Sequence, residues 1–298
     1  MKAVVLEGAP RIPATARLRD YVALTKPRLN ALVVATTAAG WCLGNRVGAP
    51  AHSMVPVVVG TTLVAAGAAA LNQVLERGTD ALMRRTRSRP VPAGRMSPRA
   101  ASEFGIALVA IGLFLLAADV NLTSAALAFL TVVVYLAVYT PLKRRTPAAT
   151  LVGAVPGALP PLIGWAGARG DLSLEGVALS AIVFFWQVPH FMAIAWLCRD
   201  DYRNAGFPML PVIESDGHRT GYTALVYAAM LLPISLLPSL TGLAGFVYGG
   251  VALALGCGFC VLAARFAESR SDETARVLFL GSLAYLPLLW IVMIADRA

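Results

Sequence analysis

Met54-Val-Pro-Val-Val-Val-Gly60-Thr-Thr-Leu-Val-Ala-Ala-Gly-Ala-Ala-Ala70-Leu-Asn72-Gln-Val-Leu-Glu76-Arg-Gly-Thr-Asp80-Ala-Leu-Met-Arg84-Arg85-Thr86-Arg87-Ser88-Arg89-Pro90 opens on an uncharged apolar run and closes on acids and arginines. The run over 54–75 has the length, about 20 residues, that an α-helix needs to cross a bilayer. An amide and two carboxylates come next at spacings of four. On a helix that spacing keeps side chains on one face, drifting about 40° per step, so Asn72, Glu76 and Asp80 line about 12 Å of one stripe. Charged groups at the edge of a bilayer core are costly unless they serve a site. Hard oxygen ligands suit Mg²⁺, which binds through one or two carboxylates together with substrate phosphates. The arginines just beyond suit the remaining phosphate oxygens. The pattern reads as a diphosphate-and-magnesium site at the end of a membrane helix. Thr86 and Ser88 either hydrogen-bond phosphate or cap the helix end.

The rest of the chain agrees with a membrane protein. Of its 298 residues 58% are hydrophobic and 14% charged, whereas a soluble domain carries about 25% charged residues. Apolar segments recur at roughly 29–44, 54–75, 102–118, 122–141, 148–166, 175–197, 221–238, 242–264 and 277–295. Only helices and closed barrels satisfy their backbone groups in lipid. The expectation is an all-α polytopic membrane protein of nine transmembrane helices. With the N-terminus cytoplasmic, 22 of the 25 basic residues fall on the inner side, and only Arg46, Arg169 and Arg297 fall outside. The positive-inside rule favours this orientation and puts the C-terminus outside. The net charge of +9 therefore reports topology, not a nucleic-acid partner. Residues 1–28 read as a basic cytoplasmic tail without a signal-peptide core, and 29–298 as a single intramembrane domain.

A second acidic cluster, Cys198-Arg199-Asp200-Asp201-Tyr202-Arg203-Asn204-Ala205-Gly206-Phe207-Pro208-Met209-Leu210-Pro211, lies at the inner end of a later span. Glycine and two prolines shape it into a compact turn or lid. The topology puts it on the same side as the first cluster, so two carboxylate sets converge on one diphosphate. An isolated Asp200-Asp201 pair reads equally as surface ion pairing. Between them the inside loop Lys143-Arg144-Arg145 is either a topology signal or an anion site. Gly153, Pro156, Gly157, Pro160, Pro161 and Gly164 either bend a helix to admit a ligand or let helices pack closely. His190 stands at membrane depth after Pro189, where a hydrogen-bonded core histidine and a substrate contact are both open. His52 and His218 read as loop residues. Cys257 and Cys260 form a C-x-x-C inside an apolar span, where packing is the simpler role.

Together these residues resemble the UbiA-type intramembrane prenyltransferases, and within them the branch that uses haem as acceptor. The resemblance rests on Asn72-Gln73, Glu76, Asp80, Met83, Arg85-Thr86 and Arg89-Pro90; on Tyr139-Thr140, Lys143-Arg144 and Thr146-Pro147; on Gly157, Pro160-Pro161 and Gly164-Trp165; on Pro189-His190-Phe191; and on Asp201-Tyr202, Ala205-Gly206 and Pro208-Met209-Leu210-Pro211. Two departures are Glu76, where the superfamily has Asp, and Asn204, where a second-motif carboxylate is common.

The resemblance implies helices around a central cavity, capped by cytoplasmic loops, in a bacterial plasma membrane. It implies farnesyl diphosphate and haem B as substrates, haem O as product and Mg²⁺ as cofactor. Glu76, Asp80, Asp200 and Asp201 would hold metal, with Asn72 assisting. Arg85, Arg89, Lys143 and Arg144 would bind the diphosphate. His190, Trp186 and Tyr202 would contact haem. A haem A-forming enzyme or a haem–copper oxidase would be downstream partners. Rival readings are a sister prenyltransferase for a quinone or chlorophyll-type ring, an ion-coupled transporter, and a haem-handling assembly factor without turnover.

Overall fold

The apolar runs fold as helices throughout. The computed structural model describes residues 14–45 and 54–297, and among them there is no β-strand. In chain order the helices are α1 (Ala14–Leu24), α2 (Pro27–Gly44), α3 (Met54–Leu75), α4 (Arg77–Asp80), α5 (Pro98–Asp119), α6 (Leu122–Val133), α7 (Thr140–Leu142), α8 (Ala149–Arg169), α9 (Leu174–Leu197), α10 (Arg199–Asn204), α11 (Leu210–Ile213), α12 (His218–Leu240), α13 (Phe246–Ser269) and α14 (Asp272–Ala295). A π-helical stretch, Val134–Tyr139, joins α6 to α7, so Leu122–Leu142 is one continuous helix. The first thirteen residues, and the loop carrying Arg46 and His52, lie outside the described residues.

Eight of the described helices are long and apolar enough to cross a membrane. The remaining expected span, 29–44, coincides with α2, an 18-residue helix that buries Asn30, Thr36 and Thr37. Those polar positions make it less apolar than its neighbours, yet it packs inside the bundle. Several helices begin earlier than hydropathy alone marks. Ser97 accepts from Ala100 N and Ser271 from Thr274 N, each 3.2 Å, which extends α5 and α14 by an N-capped polar turn.

α2, α3, α5, α6 and α8 form one half of the bundle, and α9, α12, α13 and α14 the other, joined through α8 and α9. Small residues set the closest approaches. A Cβ on Gly67 of α3 would meet Gly105 O of α5 at 2.5 Å, and one on Gly112 would meet Gly60 O at 2.7 Å. Gly40 of α2 faces the Pro161 carbonyl, and Gly164 of α8 faces Thr37 O, too closely for any side chain. The glycines of α8 thus serve helix packing, and α8 runs through Pro156, Pro160 and Pro161 as one helix. The outward faces stay apolar, with Phe114, Leu122, Phe129 and Ile291 each more than half exposed, as lipid-facing surface requires.

The first and last bundle helices meet at the end opposite the acidic loops. Arg297 Nη1 donates to Cys42 O at 2.6 Å and Nη2 donates to Asn45 O, which satisfies carbonyls at the end of α2. Asp296 Oδ2 accepts from Tyr248 N at 2.7 Å, and Asp296 O accepts from Gly245 N at 2.8 Å. At the other end, part of the stretch read as a tail is ordered. Residues 14–24 form α1, held by the Asp20–Arg95 ion pair at 3.0 Å and by Tyr21 set edge-on to Phe104.

Candidate active site

The stripe of four-residue spacings forms as the helical period requires. Glu76 N donates to Asn72 O and Asp80 N to Glu76 O, at 2.9 and 2.8 Å, so helical hydrogen bonding carries through the junction of α3 and α4. All three side chains are buried, at 2% (Asn72), 4% (Glu76) and 1% (Asp80) exposure. Two carboxylates buried this deeply need cations. Lys143 Nζ reaches Glu76 Oε1 at 3.1 Å, and Arg89 Nη1 reaches Asp80 Oδ2 at 2.7 Å. Lys26 Nζ donates to Asn72 Oδ1 at 3.2 Å. Asp80 Oδ1 is buried and has no hydrogen-bond partner among the described residues.

The third cation and a fourth polar contact come from distant sequence. Lys26 sits at the turn between α1 and α2, in a left-handed conformation (φ 48°) that aims the chain into Pro27. Burial, then the Arg89 guanidinium, lowers its pKa to about 8. Thr140 Oγ1 accepts from Asn72 Nδ2 at 3.1 Å and donates to Tyr135 O at 2.8 Å, a five-residue reach that fits the π-helical turn before it. Lys143 stands one turn later, only 8% exposed. Burial opposes its charge, but Tyr139 and Glu76 outweigh burial and hold its pKa above the ordinary lysine value. Arg144, the next residue, is exposed and stands apart from the cluster.

The second acidic cluster docks on the first. Asp201 accepts from the backbone N–H of Arg84 at 3.1 Å and of Arg85 at 3.4 Å. Arg85 Nη2 donates to Tyr202 Oη at 2.9 Å, and its guanidinium lies over the Tyr202 ring. Asp200 points away, exposed, and pairs with Arg203 at 2.7 Å. Phe207, 1% exposed, lays its ring 4.5 Å from Lys143 Nζ. Met83, Ala195, Tyr202, Ala205, Phe207 and Met209 pack into one apolar cluster that binds the two loops together. Among the described residues, no three carboxylate, histidine or cysteine side chains converge as a ready metal site. The set that does converge is mixed: three amide and carboxylate side chains, three cations, and the unpartnered oxygen of Asp80. That donor set suits a hard divalent ion shared with an anionic oxygen ligand, as Mg²⁺ with phosphate is.

His190 and Trp186 lie elsewhere, at the contact of α9 with α14. Trp186 is 2% exposed and its Nε1 donates to Ser282 O at 2.8 Å. His190 stacks between Trp186 and Phe279, with ring centroids at 5.0 and 5.1 Å. Its Nδ1 lies 2.7 Å from Ser282 Oγ, whose own hydrogen goes to Phe279 O at 2.5 Å. With that hydroxyl hydrogen committed to Phe279 O, the neutral ring that fits this contact is the one protonated on Nδ1, which leaves Nε2 its lone pair. Nε2 has no partner among the described residues. His190 is seven residues, about 10 Å of helix rise, from the acidic end of α9.

Lys26 and Phe207 are members of the site that residue patterns do not single out, and Thr140 enters only through the resemblance, without a role. Lys26 reads as one more inside charge, and its only local sign is Pro27 behind it. Thr140 stands beside Lys143 in a segment already marked as an anion site.

Comparison with known proteins agrees with this architecture. The UbiA prenyltransferase family profile matches residues 33–289. The chain is 45% identical to a protoheme IX farnesyltransferase of Koribacter versatilis, covering 97% of each protein. It is 42% identical to one of Solibacter usitatus, covering 94% of this chain and 99% of that one. Among solved structures, a digeranylgeranylglyceryl phosphate synthase superposes with a TM-score of 0.79 at 17% identity, over 94% of this chain and 98% of that one. A UbiA homologue from Archaeoglobus fulgidus bound to GPP and Mg²⁺ superposes with a TM-score of 0.65 at 16% identity, over 93% and 99%. By sequence over nearly its whole length, this chain belongs to the UbiA prenyltransferase family.

Proposed function

We propose that this chain transfers a farnesyl group from farnesyl diphosphate to a vinyl group of haem B, with addition of water, to give haem O. The observation that carries the reading is the buried Asn72–Glu76–Asp80 stripe with its shell of cations and the unpartnered Asp80 Oδ1. The names of relatives over 40% identical along the whole chain support the donor and the acceptor.

Glu76 and Asp80 would hold Mg²⁺, with the Asn72 amide as a neutral partner, while Asp201 would fix the loop at Arg84 and Arg85 beside them. The ion neutralises charge on the departing diphosphate when bound. Lys143 and Arg89 pair with the acids, and Lys26 with the Asn72 amide oxygen. With the carboxylates engaged by a metal, these side chains would be free to turn to phosphate oxygens. Arg85 is pre-aligned by Tyr202 for the outer phosphate. Arg144 and Asp200, both turned to solvent, have secondary roles at most. Phe207 covers Lys143 and keeps water from that side of the reacting carbon. As the farnesyl carbon–oxygen bond breaks, its electron pair leaves with diphosphate, and the haem vinyl carbon bonds to the freed allylic carbon. Water then adds to the resulting cation and loses a proton, which leaves a hydroxyethyl farnesyl group. The free Nε2 of His190 suits a contact to the haem iron or to a haem substituent, while Trp186 and Ser282 orient the ring.

The distribution of basic residues supports a plasma-membrane protein with the acidic end cytoplasmic and the C-terminus outside. Haem O would then pass to a haem–copper oxidase or to a haem A-forming enzyme. The test is mass spectrometry of haem extracted after incubating the membrane-reconstituted protein with haem B, farnesyl diphosphate and Mg²⁺, with EDTA as control. The reading expects a metal-dependent haem heavier by a farnesyl group and a hydroxyl. Unchanged haem B in protein that still binds it would sink the haem assignment and turn attention to quinone-type acceptors.

A further inference from the structure

We infer that α1 is a docking surface for an anionic phospholipid of the loop-side leaflet, with an acyl chain in the groove between α1 and α5. The inference is independent of the transfer reaction. α1 has two unlike faces. Asp20, Tyr21 and Leu24 face the protein, through Arg95, Phe104 and a buried cluster with Ala70, Val91 and Ala101. Leu18 and Val22, one turn apart, are 66% and 50% exposed on a helix already satisfied on its other face. An apolar face on a short helix beside a transmembrane bundle is suited to lie in the interface, dipping into the acyl boundary.

A groove of about 510 Å³ runs alongside, lined by Leu18, Tyr21, Val22, Thr25 and Phe104. Its lining is apolar. Phe104 stands six residues, about 9 Å of helix rise, inside α5, and Leu108 and Ile111 extend the same face of α5 along the membrane. The groove therefore opens where an acyl chain from the bilayer would enter. Arg19, next to Leu18 on α1 and one turn before Val22, is exposed, which matches an anionic headgroup at that level. Anchoring here bears on the polar site, because Leu24 O accepts from Gln73 at 2.9 Å and Lys26 reaches Asn72.

The test uses the full chain in nanodiscs containing trace phospholipid with a photoactivatable acyl chain, carrying either a phosphatidylglycerol or a phosphatidylcholine headgroup. Adducts are mapped by mass spectrometry. The expected result is a peptide bearing Leu18–Thr25 or Phe104 labelled at least threefold more than the outward face of α13, more strongly by phosphatidylglycerol. Leu18→Ser with Val22→Ser, both at exposed positions, should abolish the excess labelling and leave α13 unchanged. Arg19→Gln should remove the headgroup preference alone. Labelling of α1 no higher than α13, equal labelling by the two headgroups, or excess labelling that survives the double substitution would each overturn the inference. So would finding the groove filled by protein, as a cross-link from a second copy or from another segment of this chain.

Discussion

Asp80 combines three properties that rarely meet: it is 1% exposed, it is paired to Arg89 through one oxygen, and its other oxygen has no hydrogen-bond partner among the described residues. Asp80→Asn keeps the shape and removes the charge. We expect prenyl transfer to fall on the order of 10²–10³-fold with the protein still folded, as for loss of a main electrostatic stabiliser. Full turnover of the folded variant would refute the metal assignment. The adjacent aspartates make a sharper pair. Asp201 holds two backbone N–H groups of the first acidic loop, whereas Asp200 pairs with Arg203 in solvent. Asp201→Asn should cost at least tenfold in rate, and Asp200→Asn little, because exposed ion pairs contribute about 0–1 kcal/mol. Equal losses at the two positions would remove the distinction. For His190, the bare Nε2 implies that His190→Ala weakens haem binding or changes the absorption of bound haem, with farnesyl diphosphate binding intact. An unchanged haem titration would leave His190 a packing residue.

The π-helical turn at Val134–Tyr139 and the glycine contacts of α3 with α5 act through whole helices. The extra residue in the π turn rotates the segment after it, so Thr140 and Lys143 meet Asn72 and Glu76. Thr140→Val keeps the volume but leaves Asn72 Nδ2 without its acceptor. A lost buried hydrogen bond costs about 1 kcal/mol, or about fivefold in rate, and the loss should appear in the kinetics of the diphosphate substrate. Gly67→Leu has a different consequence. A side chain there drives into Gly105 O and forces α3 from α5. The expected destabilisation is about 1–3 kcal/mol, read as a lower melting temperature in detergent.

The bundle as a whole is closed at one end by polar loops and at the other by its last two described residues. Arg297 joins the C-terminal end of the chain to α2. Arg297→Ala should lower thermal stability by about 1–3 kcal/mol, the usual worth of hydrogen bonds from a charged group, without altering Mg²⁺ dependence. Orientation is tested directly: a periplasmic phosphatase fused after Ala298 should be active and a cytoplasmic fluorescent reporter dark, and the reverse pattern would invert the topology.

Much of the molecule was legible from residues alone because the relevant physics is local. Hydropathy over about 20 residues marks a bilayer helix, and a spacing of four marks one helical face, so the membrane class and the Asn72, Glu76 and Asp80 stripe are set by the chain itself. α2 shows where that reading thins: its buried Asn30, Thr36 and Thr37 dilute the apolar signal that tertiary packing makes unnecessary. The counter-ions were not legible. Lys26 meets Asn72 across 46 residues, and Lys143 meets Glu76 across 67. No local pattern encodes such a meeting, which depends on helix crossing, on small residues that set it, and on the π turn. The choice between Asp200 and Asp201 is of the same kind. Neighbours on a short helix differ by about 100° of rotation, and only the docking of α10 against the loop at Arg84 and Arg85 turns one inward and leaves the other in water.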